Sequence, residues 1–111
     1  MRRSIERLLT VLGCKVEGFS SAEVLLERGH LDQLGCLVLD IHLPGMSGFE
    51  LRDRMTETGS SLPTIFITAI EDDDVEAAAV RLGCVAYLHK PFSPDLLVSS
   101  VNRALSDRTA R

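Results

Sequence analysis

The sequence lacks several features that mark common protein classes. It has no long apolar run, so neither a membrane-spanning helix nor a secretory signal is predicted, and we expect a cytoplasmic protein with no membrane contact. It also has no internal repeat, low-complexity tract or linker between domains. At 111 residues, the chain is therefore expected to form one domain around one core.

A clustered basic stripe is absent as well. The formal net charge is -4, and the arginines are gathered mainly near the two ends of the chain. A protein that binds nucleic acid through its phosphates needs positive charge concentrated on one surface. We therefore predict that this chain does not bind nucleic acid directly.

The cysteines form no recognisable metal or redox motif. Cys14, Cys36 and Cys84 are far apart, with neither a Cys-x-x-Cys pair nor a histidine cluster around them. Each lies in or beside a strand-like run, where a reduced thiol behaves as a small hydrophobic side chain. We interpret the three cysteines as core residues.

Helical and extended patterns alternate along the chain. Capping residues, apolar stripes and terminal glycines predict five helices, at about 2–12, 20–28, 47–58, 73–83 and from 93 onwards, with N-caps at Ser20, Ser47, Asp73 and Ser93. The predicted strands are Lys15–Phe19, Cys36–Ile41, Thr64–Thr68 and Cys84–His89. This alternation favours an α/β fold with a mostly parallel sheet, because parallel neighbours need a crossover that is usually helical.

Three polar residues stand where successive predicted strands end. Asp40 closes one strand, Thr68 closes the next, and Lys90 follows the last. In an open parallel sheet these ends share one edge, which is where sites form. A carboxylate can attack phosphorus while an ammonium and a divalent cation neutralise the phosphoryl oxygens and a hydroxyl donates a hydrogen bond. Each residue alone fits an ordinary structural role, but together they predict a phosphoryl-transfer site.

These residues and their neighbours resemble the receiver domains of two-component response regulators. The matching segments are Asp40 with Leu43–Gly48 behind it, Thr68-Ala69, Tyr87 three residues before Lys90, and Lys90-Pro91. The resemblance implies a flavodoxin-like, doubly wound parallel sheet. It also implies a receiver domain over residues 1–106 and a tail or the beginning of a linker over 107–111. The chain is similar in particular to receivers that regulate transcription through a separate helix-turn-helix output domain.

The resemblance assigns roles to the site residues. Asp40 would accept a phosphoryl group from a sensor histidine kinase or a phosphotransfer protein. Lys90 would bind that group, held in place by a cis peptide bond to Pro91. Thr68 and Tyr87 would form the switch that changes the surface of the domain.

The resemblance also implies a second copy as a partner and a shaped loop after Asp40. Receivers commonly dimerise through the fourth helix, the last strand and the fifth helix, a face that would include Val75, Val85 and Tyr87. We therefore expect a homodimer. The loop residues with turn chemistry are Pro44, Gly45 and Gly48.

The sequence departs from the receiver pattern at its start. Receivers begin with a strand whose end carries an acidic pair that supplies most of a Mg²⁺ site, whereas this chain opens inside the first helix. Asp40 and the backbone carbonyl of His42 would remain as ligands, a weak set for an ion that prefers six oxygens. The acidic run 72–74 lies near the same edge, and it is also typical of a helix N-terminus.

The absent strand would normally lie in the middle of the sheet. Lys15–Phe19 must then pair directly with Leu37–Asp40, leave a gap, or find a strand elsewhere. A gap is the least favoured outcome because unpaired buried backbone groups are costly. A truncated sheet that is rearranged, or an intertwined dimer, is expected instead.

Two other functions remain open. A phosphorylation-independent module for interaction or dimerisation would use the same scaffold without the chemistry. A phosphatase of the haloacid dehalogenase type also uses a strand-end Asp, but it needs a second Asp two residues on, where this chain has His42. We therefore expect no enzyme activity beyond phosphoryl transfer to Asp40 itself.

Overall fold

Five helices and three strands make up the described part of the chain. The computed structural model describes residues 2–19, 21–30, 34–42, 45–57, 62–69 and 72–109, with the side chains of residues 4–106 within those ranges. The helices are α1 (Arg2–Val11), α2 (Ala22–Arg28), α3 (Gly48–Glu57), α4 (Asp73–Arg81) and α5 (Pro94–Thr109). The strands are β1 (Leu37–Asp40), β2 (Thr64–Thr68) and β3 (Ala86–His89).

The strands form one parallel sheet in the order β1-β2-β3. In this register Leu39 is opposite Phe66, and Phe66 is opposite Tyr87. Every residue of the central strand β2 is buried. Burial on both faces explains the continuous apolar run in its sequence.

Helices cover both faces of the sheet. Phe66 packs with side chains of α2, α3 and α4, among them Leu25 and Leu51. Its neighbour Ile65 points to the other face and packs with Leu9 of α1 and Leu97 of α5. Because successive residues of a strand alternate between faces, β2 joins two cores. The predicted doubly wound α/β fold is confirmed.

The helix starts agree with the sequence except at α2 and α4. Ser21 caps α2, its hydroxyl accepting the Val24 N–H at 3.2 Å, whereas the predicted cap Ser20 lies outside the described residues. The predicted caps of α3 and α5 are confirmed, because Ser47 and Ser93 each accept a backbone N–H three residues on. Side-chain capping therefore fixes where these helices begin.

The N-cap of α4 is Asp72, so the prediction of Asp73 was wrong by one residue. Asp72 has extended backbone angles, and its Oδ1 accepts the N–H groups of Asp74 at 2.9 Å and Val75 at 3.4 Å. An N-cap must be non-helical for its side chain to reach these donors. Within a run of three aspartates, sequence alone does not say which one meets that condition.

The predicted strand at Lys15–Phe19 was wrong, because these residues have no regular secondary structure. A cavity of about 990 Å³ separates them from β1. Glu17 instead forms an ion pair with Arg28 at 2.6 Å, which ties the segment to α2. An extended segment becomes a strand only where a neighbour completes the hydrogen-bond ladder. The gap, which the sequence made the least favoured outcome, is present, and the direct pairing with β1 is not.

The last helix runs past the expected domain end. α5 continues to Thr109, and the boundary between the domain and a tail or linker at residue 107 stays a prediction. Within the described ranges, no helix is both long and apolar enough to cross a bilayer.

The cysteines are free thiols in half-buried positions. Burial, and secondarily the neighbouring Cys14, raise the pKa of Cys36 to about 11. Burial also raises the pKa of Cys84. Because the thiolate is the reactive form, Cys36 is a poor nucleophile at neutral pH.

Candidate functional site

The three predicted site residues lie at one edge of the sheet. Asp40 is the last residue of β1, Thr68 is the last residue of β2, and Lys90 follows β3 directly. Two backbone hydrogen bonds hold the strand ends side by side. The Ile41 N–H donates to the carbonyl of Ile67 at 2.9 Å, and the Lys90 N–H donates to the carbonyl of Thr68 at 2.8 Å. The parallel register therefore brings together residues that are 50 positions apart.

Asp40 and Lys90 form the polar centre of this edge. The Nζ of Lys90 lies 2.8 Å from Oδ2 of Asp40, and the backbone N–H of His42 donates to Oδ1 at 2.9 Å. The side chains are 31% exposed for Asp40 and 22% for Lys90. The peptide bond between Lys90 and Pro91 is cis. Asp40 is therefore oriented by a donor on each oxygen and still open to a reagent from solvent.

Thr68 and Tyr87 lie beneath the edge. Thr68 is fully buried, and Tyr87 is half-buried against the core on the face of α2, α3 and α4. Tyr87 is three residues before Lys90 in the same chain segment. Because the surrounding side chains are closely packed, they must shift if the Thr68 hydroxyl or the Tyr87 ring moves. The arrangement suits a switch with discrete positions.

Gly48 sets the close approach of α3 to Asp40. Its N–H donates to the carbonyl of Ile41 at 3.1 Å. A Cβ at this position would lie 2.9 Å from the backbone oxygen of Asp40 and 3.2 Å from Cα of Ile41, and backbone atoms yield little. The sequence indicated only that Gly48 shapes a loop. Its contact with the backbone of Asp40 emerges from the tertiary packing.

The donor set at this edge is too small to fit Mg²⁺ unaided. Asp72, the first member of the acidic run 72–74, already caps α4. Across the described ranges, no three side chains of Asp, Glu, His or Cys are grouped so as to hold a metal ion. Asp40 and backbone carbonyls such as that of His42 provide fewer oxygens than the six the ion prefers. We therefore derive no step of the chemistry from a bound metal.

Glu23 contacts the site loop, and the sequence did not predict this role. Its Oε1 accepts the backbone N–H of Met46 at 2.8 Å, across 23 residues. The sequence offers one signal at this position: Glu23 lies three residues after Ser20, a spacing that is typical of a capping box at a helix start. A contact between a helix and a distant loop has no local pattern that could reveal it.

Comparisons with known sequences all point to one protein family. A family model described as the response regulator receiver domain matches residues 1–102. The chain is 34% identical to the response regulator protein TodT of Pseudomonas putida over 92% of this chain and 45% of TodT. It is 37% identical to nodulation protein W of Bradyrhizobium diazoefficiens over 100% of this chain and 49% of that protein. The chain thus spans about half the length of these curated relatives.

Solved structures agree with the sequence matches. The response regulator StyR superposes with a TM-score of 0.92 at 36% identity, over 100% of this chain and 56% of that one. FixJ-N superposes with a TM-score of 0.84 at 31% identity, over 95% of this chain and 84% of that one. Together with the family match across most of its length, these likenesses show that the chain belongs to the response regulator receiver domains of two-component signalling.

Proposed function

We propose that Asp40 accepts a phosphoryl group from a sensor histidine kinase or a phosphotransfer protein. The observation that carries this proposal is the contact of 2.8 Å between Lys90 Nζ and Asp40 Oδ2 at the carboxyl edge of the sheet. A carboxylate that is oriented, partly exposed and beside an ammonium has the features of a phosphoryl acceptor. The chain thus acts as a phosphoacceptor, with no substrate other than its own Asp40.

The chemistry at this edge is a phosphoryl transfer between two side chains. An oxygen of Asp40 attacks phosphorus as the bond from phosphorus to the imidazole nitrogen of the donor breaks, and the imidazole takes up a proton. Lys90 then exchanges its ion pair with Asp40 for contact with a phosphoryl oxygen, which disperses the negative charge. The Thr68 hydroxyl and the Tyr87 ring respond to the new group and alter the surface.

Mg²⁺ would be held here by Asp40 and the backbone carbonyl of His42, and it would neutralise charge on the phosphoryl oxygens when bound. Because these ligands are few, we expect a lower affinity than in a receiver with an acidic pair. This chain's own contribution to charge neutralisation is therefore Lys90.

A second copy of the chain is the partner that we propose for the phosphorylated state. Val75, Val85 and Tyr87 are half-buried, and Val80 on the same helix as Val75 is 66% exposed. An apolar side chain exposed on α4 is suited to an interface that forms when the surface changes. We also propose that the phosphoryl transfer takes place in the cytoplasm. Any DNA binding would belong to a region outside this chain.

The test is the intact mass of the chain after incubation with acetyl phosphate and Mg²⁺, with light scattering on the same samples. We expect one phosphoryl group on the wild type and on Asp53→Asn, an exposed carboxylate of α3 that serves as control. We expect none on Asp40→Asn, because an amide is a much poorer nucleophile than a carboxylate. The phosphorylated wild type should gain mass in light scattering.

Either of two results would contradict the proposal. An unlabelled wild type would show that Asp40 is not an acceptor in this chain and would favour the module that acts without phosphorylation. Labelling that persists in Asp40→Asn would place the acceptor elsewhere. A constant mass in light scattering after full labelling would reject the dimer and leave the acceptor in place.

A further inference from the structure

The carboxylate of Glu23 reaches from α2 to the loop that follows Asp40. Glu23 lies in the first turn of α2, yet the capping contact of this helix belongs to Ser21. The Oε1 of Glu23 accepts the Met46 N–H at 2.8 Å, across 23 residues of sequence. A charged acceptor makes this a stronger hydrogen bond than one between neutral groups.

Gly45 provides a second, independent sign that the loop is fitted to this carboxylate. Its φ is +77°, a conformation that side chains rarely adopt. A Cβ at this position would lie 2.9 Å from Oε1 of Glu23. The loop backbone therefore passes so close to Glu23 that a side chain at residue 45 would displace the carboxylate.

The same loop is tied to Asp40 at its beginning and to α3 at its end. The N–H of His42 donates to Oδ1 of Asp40 at 2.9 Å, and the N–H of Gly48 donates to the carbonyl of Ile41 at 3.1 Å. The Glu23 contact lies between these two. Within the described part of the loop, it is the tie that comes from another element of the fold.

We propose that Glu23 is a positioning residue of the phosphoacceptor site, which holds the loop at Met46 so that the His42 N–H keeps Asp40 oriented. This inference rests on the proposed function of Asp40. It gives α2 a direct mechanical link to the site, because a shift of this helix would move the loop.

The charged surroundings of Glu23 support a fixed carboxylate. The Met46 N–H is the main cause that lowers the pKa of Glu23, followed by its own backbone N–H, and Ser21 and Arg54 act in the same direction. Desolvation of the carboxylate acts against them. Glu23 is therefore ionised at neutral pH, in the form that accepts most strongly.

The test compares Glu23→Ala and Glu23→Gln with Glu27→Gln, an exposed glutamate of the same helix. The first readout is the rate of labelling by acetyl phosphate. We expect Glu23→Ala to be roughly two- to fivefold slower, as for loss of an exposed charged contact. Glu23→Gln should recover part of the rate, because its amide oxygen still accepts the N–H. Glu27→Gln should match the wild type.

The second readout is the amide NMR spectrum, which does not depend on phosphorylation. The Met46 amide proton of the wild type should titrate with the Glu23 carboxyl in acid, and the His42 amide signal should shift in Glu23→Ala. Equal labelling rates for Glu23→Ala and the wild type, or a Met46 amide that does not titrate, would overturn the proposal.

The two readouts separate this inference from the proposed function. If the wild type is not labelled, the proposed function fails, and the His42 shift still decides whether Glu23 positions the loop. If Glu23→Ala does not fold, the Met46 amide decides whether Glu23 holds the loop. Its signal should titrate in the wild type and should not titrate in Glu23→Gln.

Discussion

Lys90 is the single residue whose charge bears most directly on Asp40. Its ammonium lies 2.8 Å from the carboxylate, and in the proposed chemistry it takes up the charge of the phosphoryl oxygens. We expect Lys90→Gln to slow labelling by acetyl phosphate by roughly 100- to 1,000-fold, the scale of one lost electrostatic donor. Intact mass as a function of time measures this rate.

The chain offers a matched control for that substitution. Lys15 is the only other lysine in the sequence, and its side chain is exposed. Lys15→Gln removes the same charge and leaves the ion pair between Lys90 and Asp40 in place, so its labelling rate should equal that of the wild type. Equal losses in both variants would mean that net charge, and not the contact with Asp40, governs the rate.

Helix α4 depends on one aspartate of the run 72–74 for its start. Because Asp72 accepts two backbone N–H groups, Asp72→Ala should lower the free energy of unfolding by about 1 kcal/mol. Asp73→Ala should change it by less than about 0.5 kcal/mol, as for an exposed position without a capping bond. Urea unfolding of both variants measures the difference. A larger loss of stability for Asp73→Ala than for Asp72→Ala would indicate that Asp73 is the N-cap, as the sequence predicted.

The ion pair between Glu17 and Arg28 joins the segment before α2 to the last turn of that helix. The hydrogen bond from Arg28 is the main cause that holds the pKa of Glu17 below its usual value. Stabilisation from a lowered carboxyl pKa is fully present above the unfolded pKa of about 4.5 and is lost as the pH falls through the folded pKa. Glu17→Gln should therefore be slightly less stable than the wild type at neutral pH, and the difference should vanish in acid.

Urea unfolding at about pH 7 and about pH 3 checks this dependence. Glu57→Gln removes an exposed carboxylate from α3 and serves as the control, which should follow the wild type at both pH values. A difference for Glu17→Gln that persists in acid would show that the side chain acts through packing and not through its charge.

At the scale of the whole molecule, the cavity lies on the side of β1 that has no paired strand among the described residues. The N–H groups of Leu37 and Ile41 donate to carbonyls beside and within β2. Because successive N–H groups of a strand point to opposite sides, those of Val38 and Asp40 face the cavity. We expect these two amides to exchange hydrogen at least roughly tenfold faster than those of Leu39 and Ile41. Amide exchange followed by NMR measures the ratio.

The central strand gives the internal control for this measurement. Ile65 and Phe66 of β2 should both be protected, because β2 is paired on both sides. Equal protection of the amides of Val38, Leu39, Asp40 and Ile41 would mean that another strand occupies the cavity in solution. That outcome would support the intertwined dimer, which stays a prediction.

Much of the fold follows from local patterns. The bounds of β2 are those predicted, because the apolar run Thr64–Thr68 is flanked by Pro63 and bears β-branched residues. The starts of α3 and α5 follow from Ser47 and Ser93. Lys15–Phe19 looks similar in sequence, but a strand needs a partner, and no local pattern reports whether one is present.

For the candidate site, the sequence alone predicted which residues take part, and the tertiary structure decided their geometry. Residue types at strand ends are local information, so Asp40, Thr68 and Lys90 could be selected without coordinates. The contact between Lys90 and Asp40 depends on the register of three strands. The tie from Glu23 to Met46 depends on how α2 packs beside a loop 23 residues away. Contacts between distant segments are set by the packing of the whole core, which no short stretch of sequence encodes.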